Sequence, residues 1–212
     1  MPGSLAVLVQ QRTDEPQGWA LPGRFLREKE TIADTIRFTL REKVGLEAGD
    51  VEPRLIQVFD SPERDPRAWT LSLAHALVLP PEQAERGRGR LAPIDAYGAL
   101  VEFETLHFDH DEIVRTAAEG IRQRYELDPD PDRLLGRAFS LADLKRTHEA
   151  VLGEMLQRDT FRRRMAPRLM PALDEDGQQS TRIDGGRPAR LWSGTTDQMT
   201  DDTTRRLRLP RA

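Results

Sequence analysis

Two glutamates, Glu30 and Glu42, have side chains suited to binding a divalent cation, because carboxylate oxygens are preferred ligands of Mg²⁺. Asp34 lies between them and adds a third candidate carboxylate. Carboxylates gathered around a divalent cation can hold it where it activates water. However, Lys43 directly follows Glu42, and an ammonium group at that position repels a cation. The pattern by itself leaves two interpretations open, a weakened metal site or an ordinary amphipathic helix after a Pro-Gly turn.

The stretch 19–46 supplies the elements that would position these side chains. Residues 19–21 predict a short strand, and the Pro-Gly pair that follows predicts a turn. Thr31 and Asp34 match a capping box that begins a helix, and Gly45 ends it. The apolar positions expected to form its buried stripe are Ile32, Ile36, Leu40 and Val44. The residues expected on a neighbouring face are Thr39, Glu42 and Lys43.

The same stretch resembles the Nudix box, G-x5-E-x7-R-E-U-x-E-E-x-G-U, in which U is a bulky aliphatic residue. The LPG turn, Glu30, Glu42 and the Gly45-Leu46 ending occur together at the spacing of that motif. The departures from it are Arg24 for the glycine, Phe38 for the arginine, Thr39 for the first helix glutamate and Lys43 for the last. In the family, the helix carboxylates hold the cations that bridge a diphosphate and activate water. The resemblance therefore implies a retained scaffold with disabled hydrolysis.

These departures also affect the expected cofactor. Because one helix carboxylate remains, we expect no catalytic residue, no metal site and no required cofactor, with Glu30 and Glu42 as residual candidates. Arg24 and Lys43 would instead supply the positive charge that Mg²⁺ supplies in hydrolases, so that a diphosphate binds without metal. The competing hypothesis is a Mg-dependent Nudix hydrolase of ADP-ribose-like nucleoside diphosphates. In that case Glu30 and Glu42, with Asp34 or another carboxylate, would still bind Mg²⁺.

A loop later in the chain adds two arginines to the predicted ligand site. The run Arg64-Asp65-Pro66-Arg67 resembles the branch of the family that handles ADP-ribose-like compounds and sugars. Guanidinium groups on a proline-stiffened loop suit bidentate phosphate or carboxylate contacts, although a solvated turn is the alternative interpretation. The predicted ligand-binding residues are Trp19, Arg24, Lys43, Arg64 and Arg67.

The surrounding segments predict the rest of one α+β domain. We expect strands over 5–11, 54–59 and 69–79, and a flexible surface loop over 80–90. Asp109 is expected to cap a closing helix, and the nearby His107 and His110 have no third metal ligand at a suitable spacing, which favours structural roles. A Nudix domain normally has a further strand before the first of these, so the domain is expected to lack it or to begin from a misassigned methionine.

The charge distribution favours a chain of two domains. Residues 1–136 carry 17 Lys and Arg against 25 Asp and Glu, whereas residues 137–192 carry 11 against 8. A basic second part favours a polyanionic partner. The absence of cysteine excludes disulfides and thiolate metal sites, and no apolar run has the length of a membrane span. We therefore expect a cytoplasmic protein.

Residues 138–192 predict a helix-turn-helix followed by a β-hairpin. Ser140 with Asp143 matches a capping box, and Gly153 ends that helix. A second helix from near Asp159 is expected to bury one apolar face and expose its arginines, and a hairpin after such a helix is a wing. The predicted DNA-binding residues are Arg158, Thr160, Arg162, Arg163, Arg164, Arg182, Arg187 and Arg190. A basic surface helix with a hairpin is the alternative interpretation.

In this order the elements resemble the C-terminal winged helix of the Nudix-related transcriptional regulators, a family that represses NAD-biosynthesis or sugar-utilisation genes. The implied α+β fold is a Nudix (MutT-like) α/β/α sandwich with a mixed sheet, followed by a winged helix-turn-helix domain. The expected limits are 1–128 for the first domain, 129–137 for a linker, 138–192 for the second domain and 193–212 for a disordered tail. The resemblance also implies a homodimer on operator DNA, an ADP-ribose-like effector and no membrane partner.

Overall fold

The computed structural model describes residues 5–47, 53–183 and 188–194. The chain forms two compact units, an N-terminal unit over 6–120 and a C-terminal unit that starts at Ile121, within a single helix. The domain limits expected from the sequence stay a prediction. No helix within the described residues is both long and apolar enough to cross a membrane.

The N-terminal unit is built on antiparallel strands. They are β1 (Ala6–Arg12), β2 (Gly18–Ala20), β3 (Arg54–Phe59), β4 (Ser72–Ala76) and β5 (Arg90–Pro93). β1 lies between β2 and β5, while β3 and β4 form a separate pair with a register shift between Leu55 and Gln57. The α+β fold is thus confirmed. A mixed sheet needs at least one parallel strand pair, and every strand pair among the described residues is antiparallel.

The expected loop over 80–90 contains a short helix, α2 (Pro81–Ala84), and is otherwise built of turns that lead into β5. Gly89 has a φ of +138°, and a Cβ at this position would lie 2.5 Å from the carbonyl oxygen of Val9. Glycine is therefore needed where the chain passes close to β1, and the Arg-Gly alternation positions an edge strand.

The helix of the box-like stretch begins and ends as predicted. α1 (Ile32–Phe38) carries the Thr31 capping box, continues as a π-helical segment over Thr39–Val44, and ends at Gly45 with a φ of 75°. A π turn holds more residues than an α turn, so the later side chains rotate relative to the predicted stripe. Thr39 is buried, contrary to its expected place on a neighbouring face, and its hydroxyl donates to the Thr35 carbonyl at 2.8 Å.

Helix α3 (His110–Leu127) packs its beginning on the two-stranded sheet of the N-terminal unit. Ile113 from this helix forms a buried cluster with Phe59 of β3 and Ala74 of β4, and Leu21 packs against its edge. This contact brings the turn after β2 close to the start of α3. The expected closing helix is confirmed.

The C-terminal unit has the predicted order of helices and wing strands. Its elements are β6 (Phe139–Ser140), α4 (Leu141–Leu152), α5 (Arg158–Met165), β7 (Leu169–Pro171), β8 (Thr181–Arg182) and β9 (Ala189–Gly194). β9 pairs with β6, β7 and β8, all antiparallel. The core residues are Phe139, Leu144, Phe161, Met165 and Leu169. The Gly-Gly turn and residues 195–212 of the expected tail lie outside the described residues, whereas Ser193 and Gly194 belong to β9.

The expected linker is folded by its own aspartates. Both carboxylate oxygens of Asp130 accept backbone hydrogen bonds at 2.9 Å, from Leu134 and Leu135. Asp132 pairs with Arg124 of α3 at 3.2 Å. The hydrogen bonds to Asp130 fold residues 130–135 into a turn, and burial raises the pKa of Asp130.

Candidate functional site

Arg24 and Glu30, two residues predicted for the ligand or metal site, form an ion pair with each other. The Arg24 guanidinium also lies over the Phe38 ring at 4.1 Å from its centroid, and its side chain is only 9% exposed. Glu30 accepts a further hydrogen bond from the Arg27 amide at 3.1 Å. Arg24 beside it holds the pKa of Glu30 below its usual value. Glu30 thus has a structural partner in place of a metal ion.

The two other candidate carboxylates are also engaged and do not converge. Glu42 pairs with Arg41 at 2.7 Å on an exposed face, and Asp34 caps α1 and pairs with Arg37. In the three described ranges, no three His, Asp or Glu side chains lie close enough together to hold a metal ion. The residues present therefore do not fit the divalent cations that the Nudix fold family implies.

A cavity of about 400 Å³ lies beside the box helix, within the N-terminal unit. Arg12, Asp14, Lys43 and Arg88 supply the charged part of its wall. The volume falls in the range of small-molecule sites. Three cations face one carboxylate across this space, so its electrostatics favour an anionic ligand.

Backbone carbonyl contacts hold Lys43 on the wall of this cavity. Its Nζ donates to the Gly23 carbonyl, and its own carbonyl accepts from the Gln10 side chain at 2.6 Å. Burial, with repulsion from Arg12 and Arg24, lowers the pKa of Lys43 below its usual value. The structure thus places a lysine next to two arginines at the position of the last motif glutamate.

The remaining predicted ligand residues do not line the cavity. Arg64 binds both oxygens of Asp109, at 2.7 and 2.8 Å, and is 8% exposed. Arg67 binds both oxygens of Asp65, which lowers the pKa of that carboxyl to about 2. Trp19 packs edge-to-face with a ring of the same unit. Ligand roles for Trp19, Arg64 and Arg67 stay predictions, and the carboxylate of Asp109 is used by Arg64 at the start of α3.

The two histidines before and at the start of α3 contact the backbone. His110 Nδ1 accepts a hydrogen bond from the Leu21 amide at 2.9 Å, and burial lowers the pKa of His110 to about 4. The His107 ring lies 2.5 Å from the Gln17 carbonyl oxygen. These contacts are the structural roles expected of them.

Sequence reasoning missed Arg12 and Arg88, the two arginines that share the cavity with Lys43. Arg12 ends β1, and its Nε donates to the Pro16 carbonyl at 3.0 Å. Arg88 lies in the segment 80–90, which the sequence predicted to be a flexible surface loop. The available signal was the glycine on either side of Arg88, which permits a close approach to β1 and to the helix end.

The second candidate surface is the exposed face of α5. Phe161 and Met165 are buried beneath the helix, and Thr160 donates its amide to the Gln157 side chain at 2.6 Å. The predicted DNA-binding residues that are exposed here and on β9 are Arg158, Thr160, Arg162, Arg163, Arg164 and Arg190. Sequence reasoning missed the exposed Arg168, which follows the helix. This surface can contact a phosphate backbone.

Arg182, predicted as a DNA contact on the wing, binds Asp143 at 2.6 Å. Asp143 is also the capping-box partner of Ser140 at the start of α4. Arg182 therefore fastens β8 to the beginning of α4, and a DNA contact from it stays a prediction. Arg187 lies outside the described residues.

Comparisons with known proteins agree with both parts of the chain. Residues 132–193 match the model of the NrtR DNA-binding winged helix domain. The ADPR responsive transcriptional repressor NtrR of Acinetobacter baylyi is 29% identical over 220 residues, which span 99% of this chain and 83% of that protein.

Solved structures show the same likeness. The Shewanella oneidensis NrtR complexed with a 27mer DNA aligns with a TM-score of 0.68 and 27% identity, over 97% of this chain and 92% of that one. A mutT/nudix family protein from Listeria innocua aligns with a TM-score of 0.50 and 30% identity, over 58% of this chain and 85% of that one. The winged helix and the Nudix fold expected from the sequence are confirmed.

Proposed function

The chain belongs to the Nudix-related transcriptional regulators of the NrtR type, and we propose that it is a repressor that binds operator DNA and senses ADP-ribose or a related nucleotide diphosphate. The observation that carries this proposal is the exposed basic face of α5, in a chain whose Nudix box has Thr39 and Lys43 in place of two helix glutamates. Such a chain can hold a diphosphate ligand without destroying it, which suits a sensor.

The proposed effector rests on the relative and on the cavity together. The Acinetobacter baylyi relative is described as ADPR responsive, and the cavity of this chain presents Arg12, Lys43 and Arg88 to an anion. Charged donors of this kind recognise phosphate oxygens. Regulated genes would then belong to NAD biosynthesis or to sugar utilisation, where such compounds change in concentration.

We further propose a cytoplasmic homodimer on a pseudo-palindromic operator. Two winged helices would contact half-sites about 34–36 Å apart, one turn of DNA. Effector binding would shift the two helices out of register with these half-sites and weaken DNA binding, since an effector acts through its differential affinity for the two states.

A gel shift on DNA upstream of the protein's own gene and its neighbours tests the proposal. We expect a specific complex that ADP-ribose, but not NAD or a pentose, releases. Absence of any specific complex would contradict a repressor. Turnover of ADP-ribose above background that Glu42→Gln abolishes would instead favour the Mg-dependent hydrolase.

A further inference from the structure

Building on the proposed function, we infer that the 400 Å³ cavity is a metal-independent diphosphate site in which Arg12, Lys43 and Arg88 replace the divalent cation. This assignment differs from the sequence-based hypothesis, which named Arg24 with Lys43. Arg24 is committed to Glu30 and Phe38, and it does not line the cavity.

The cavity cations differ from the other arginines of this unit in their partners. Arg24, Arg41, Arg64 and Arg67 each pair with a carboxylate of the same unit. Within the described ranges, none of the three cavity cations forms an ion pair. Positive charge left uncompensated on a cavity wall is electrostatically unfavourable until an anion enters.

Neutral carbonyl groups orient these three cations without neutralising them. Arg12 donates to the carbonyls of Pro16 and Glu15, at 3.0 and 3.3 Å, and Lys43 donates to the Gly23 carbonyl. Arg88 donates to the carbonyl of Arg41 at 3.4 Å. Such contacts leave further N–H groups of these side chains for a ligand. They also restrict the side chains before the ligand binds, which reduces the conformational entropy lost on binding.

The end of the box helix leaves space for Arg88. Gly45 lies against the Arg88 side chain, and a Cβ on this glycine would be 2.7 Å from Arg88 Nε. The motif glycine that survives in this chain is thus the place where Arg88 packs on the helix end next to Lys43. Asp14 is the carboxylate on the same wall, and its charge favours the protonated form of Lys43.

Metal chemistry does not explain the cavity equally well. Glu30 and Glu42, the carboxylates of the box, are paired with Arg24 and Arg41, which leaves Asp14 as the carboxylate on the cavity wall. A divalent ion near Lys43 would meet three positive side chains. A diphosphate can use those same charges directly, through hydrogen bonds that a metal would otherwise mediate.

Isothermal titration of the full chain with ADP-ribose and with inorganic pyrophosphate, in EDTA and in Mg²⁺, tests the site. We expect both probes to bind in EDTA. Lys43→Gln and Arg88→Gln should each weaken both by at least about tenfold, the effect of losing one charged hydrogen bond. Arg37→Gln is the matched control, because this arginine lies on the same helix and has the same charge but pairs with Asp34 and does not line the cavity. It should leave both affinities unchanged, with circular dichroism confirming that every variant is folded.

The outcomes separate this inference from the proposed function. Wild-type affinity for ADP-ribose in both cavity variants would overturn the site and leave the regulator intact. Binding that requires Mg²⁺ would overturn metal independence. Pyrophosphate binding that the cavity variants lose, in a protein that ignores ADP-ribose, would support the anion site and contradict the proposed effector.

Discussion

At the scale of single residues, two departures from the Nudix box contact each other. Arg24 replaces the motif glycine and Phe38 replaces the motif arginine, and the structure brings the guanidinium of the first onto the ring of the second. Glu30 accepts from that guanidinium. The loop therefore supplies a cation that pairs with Glu30, and this carboxylate is no longer free to bind a metal ion.

A double-mutant cycle tests this pairing. Arg24→Ala and Glu30→Ala should each lower the urea midpoint, because each leaves a partner group without its opposite charge. The double variant should lose little more than the Arg24 variant alone. Additive losses would show that the two side chains act independently. Asp34→Ala combined with Arg24→Ala serves as a comparison pair without direct contact.

The buried His110 ring predicts a pH-dependent stability. The unfolded chain takes up a proton at this residue near its ordinary pKa of 6.5, whereas the folded protein takes it up near 4. Below pH 6.5 the unfolded state thus binds more protons, and stability falls as pH drops through this window, by up to about 3 kcal/mol.

His110→Gln provides the control, since its side-chain oxygen can still accept from the Leu21 amide. The free energy of unfolding, measured with urea from pH 7 to 4, should depend less steeply on pH in this variant. Carboxylates titrate in both proteins, so only the difference between the two curves reports His110. Equal slopes would contradict the assignment.

At the scale of elements, the sequence predicted the helix ends correctly where capping residues within a few positions determine them. The Thr31 and Ser140 capping boxes begin their helices as expected, and Gly45 and Gly153 end theirs in the left-handed conformation. The change to π-helical turns at Thr39 had no such signal in the sequence. β5 was missed because its partner, β1, lies far away in the sequence.

The structure divides the basic residues of the C-terminal unit into two elements with different roles. Arg163 lies on the exposed face of α5, whereas Arg182 holds β8 against the start of α4 through Asp143. Arg163→Ala should weaken DNA binding about tenfold and reduce the salt slope by about 0.9 for each DNA phosphate that the variant no longer neutralises. Arg182→Ala should lower the melting temperature with a smaller change in that slope.

Fluorescence anisotropy over a salt series measures the DNA affinity and its salt slope, and thermal unfolding followed by circular dichroism measures the melting temperature. Arg41→Ala, an exposed arginine of the N-terminal unit, is the control for general loss of positive charge. An unchanged slope for Arg163→Ala would contradict a role of α5 in phosphate contact.

At the scale of the whole molecule, the sequence predicted the type of each unit better than the composition of the site. Motif spacing and the order of the elements identified a Nudix fold and a winged helix, and Lys43, predicted to bind the ligand, lies on the wall of the cavity. Arg12 and Arg88 could not be found from the sequence, because β1 and the segment before β5 meet only in the folded unit. The ion pair of Arg24 with Glu30 forms through the turn between them and was not evident from the sequence. Arg24 was therefore predicted to bind the ligand.

The central claim is that one chain binds DNA and responds to an intact nucleotide diphosphate without a metal. The most direct measurement titrates ADP-ribose in EDTA into the complex of the protein with its upstream DNA, followed by anisotropy, and then recovers the nucleotide by chromatography. We predict at least a tenfold loss of DNA affinity and full recovery of ADP-ribose. Unchanged DNA affinity at saturating ADP-ribose, or a response that appears only with Mg²⁺ and consumes the nucleotide, would contradict this claim.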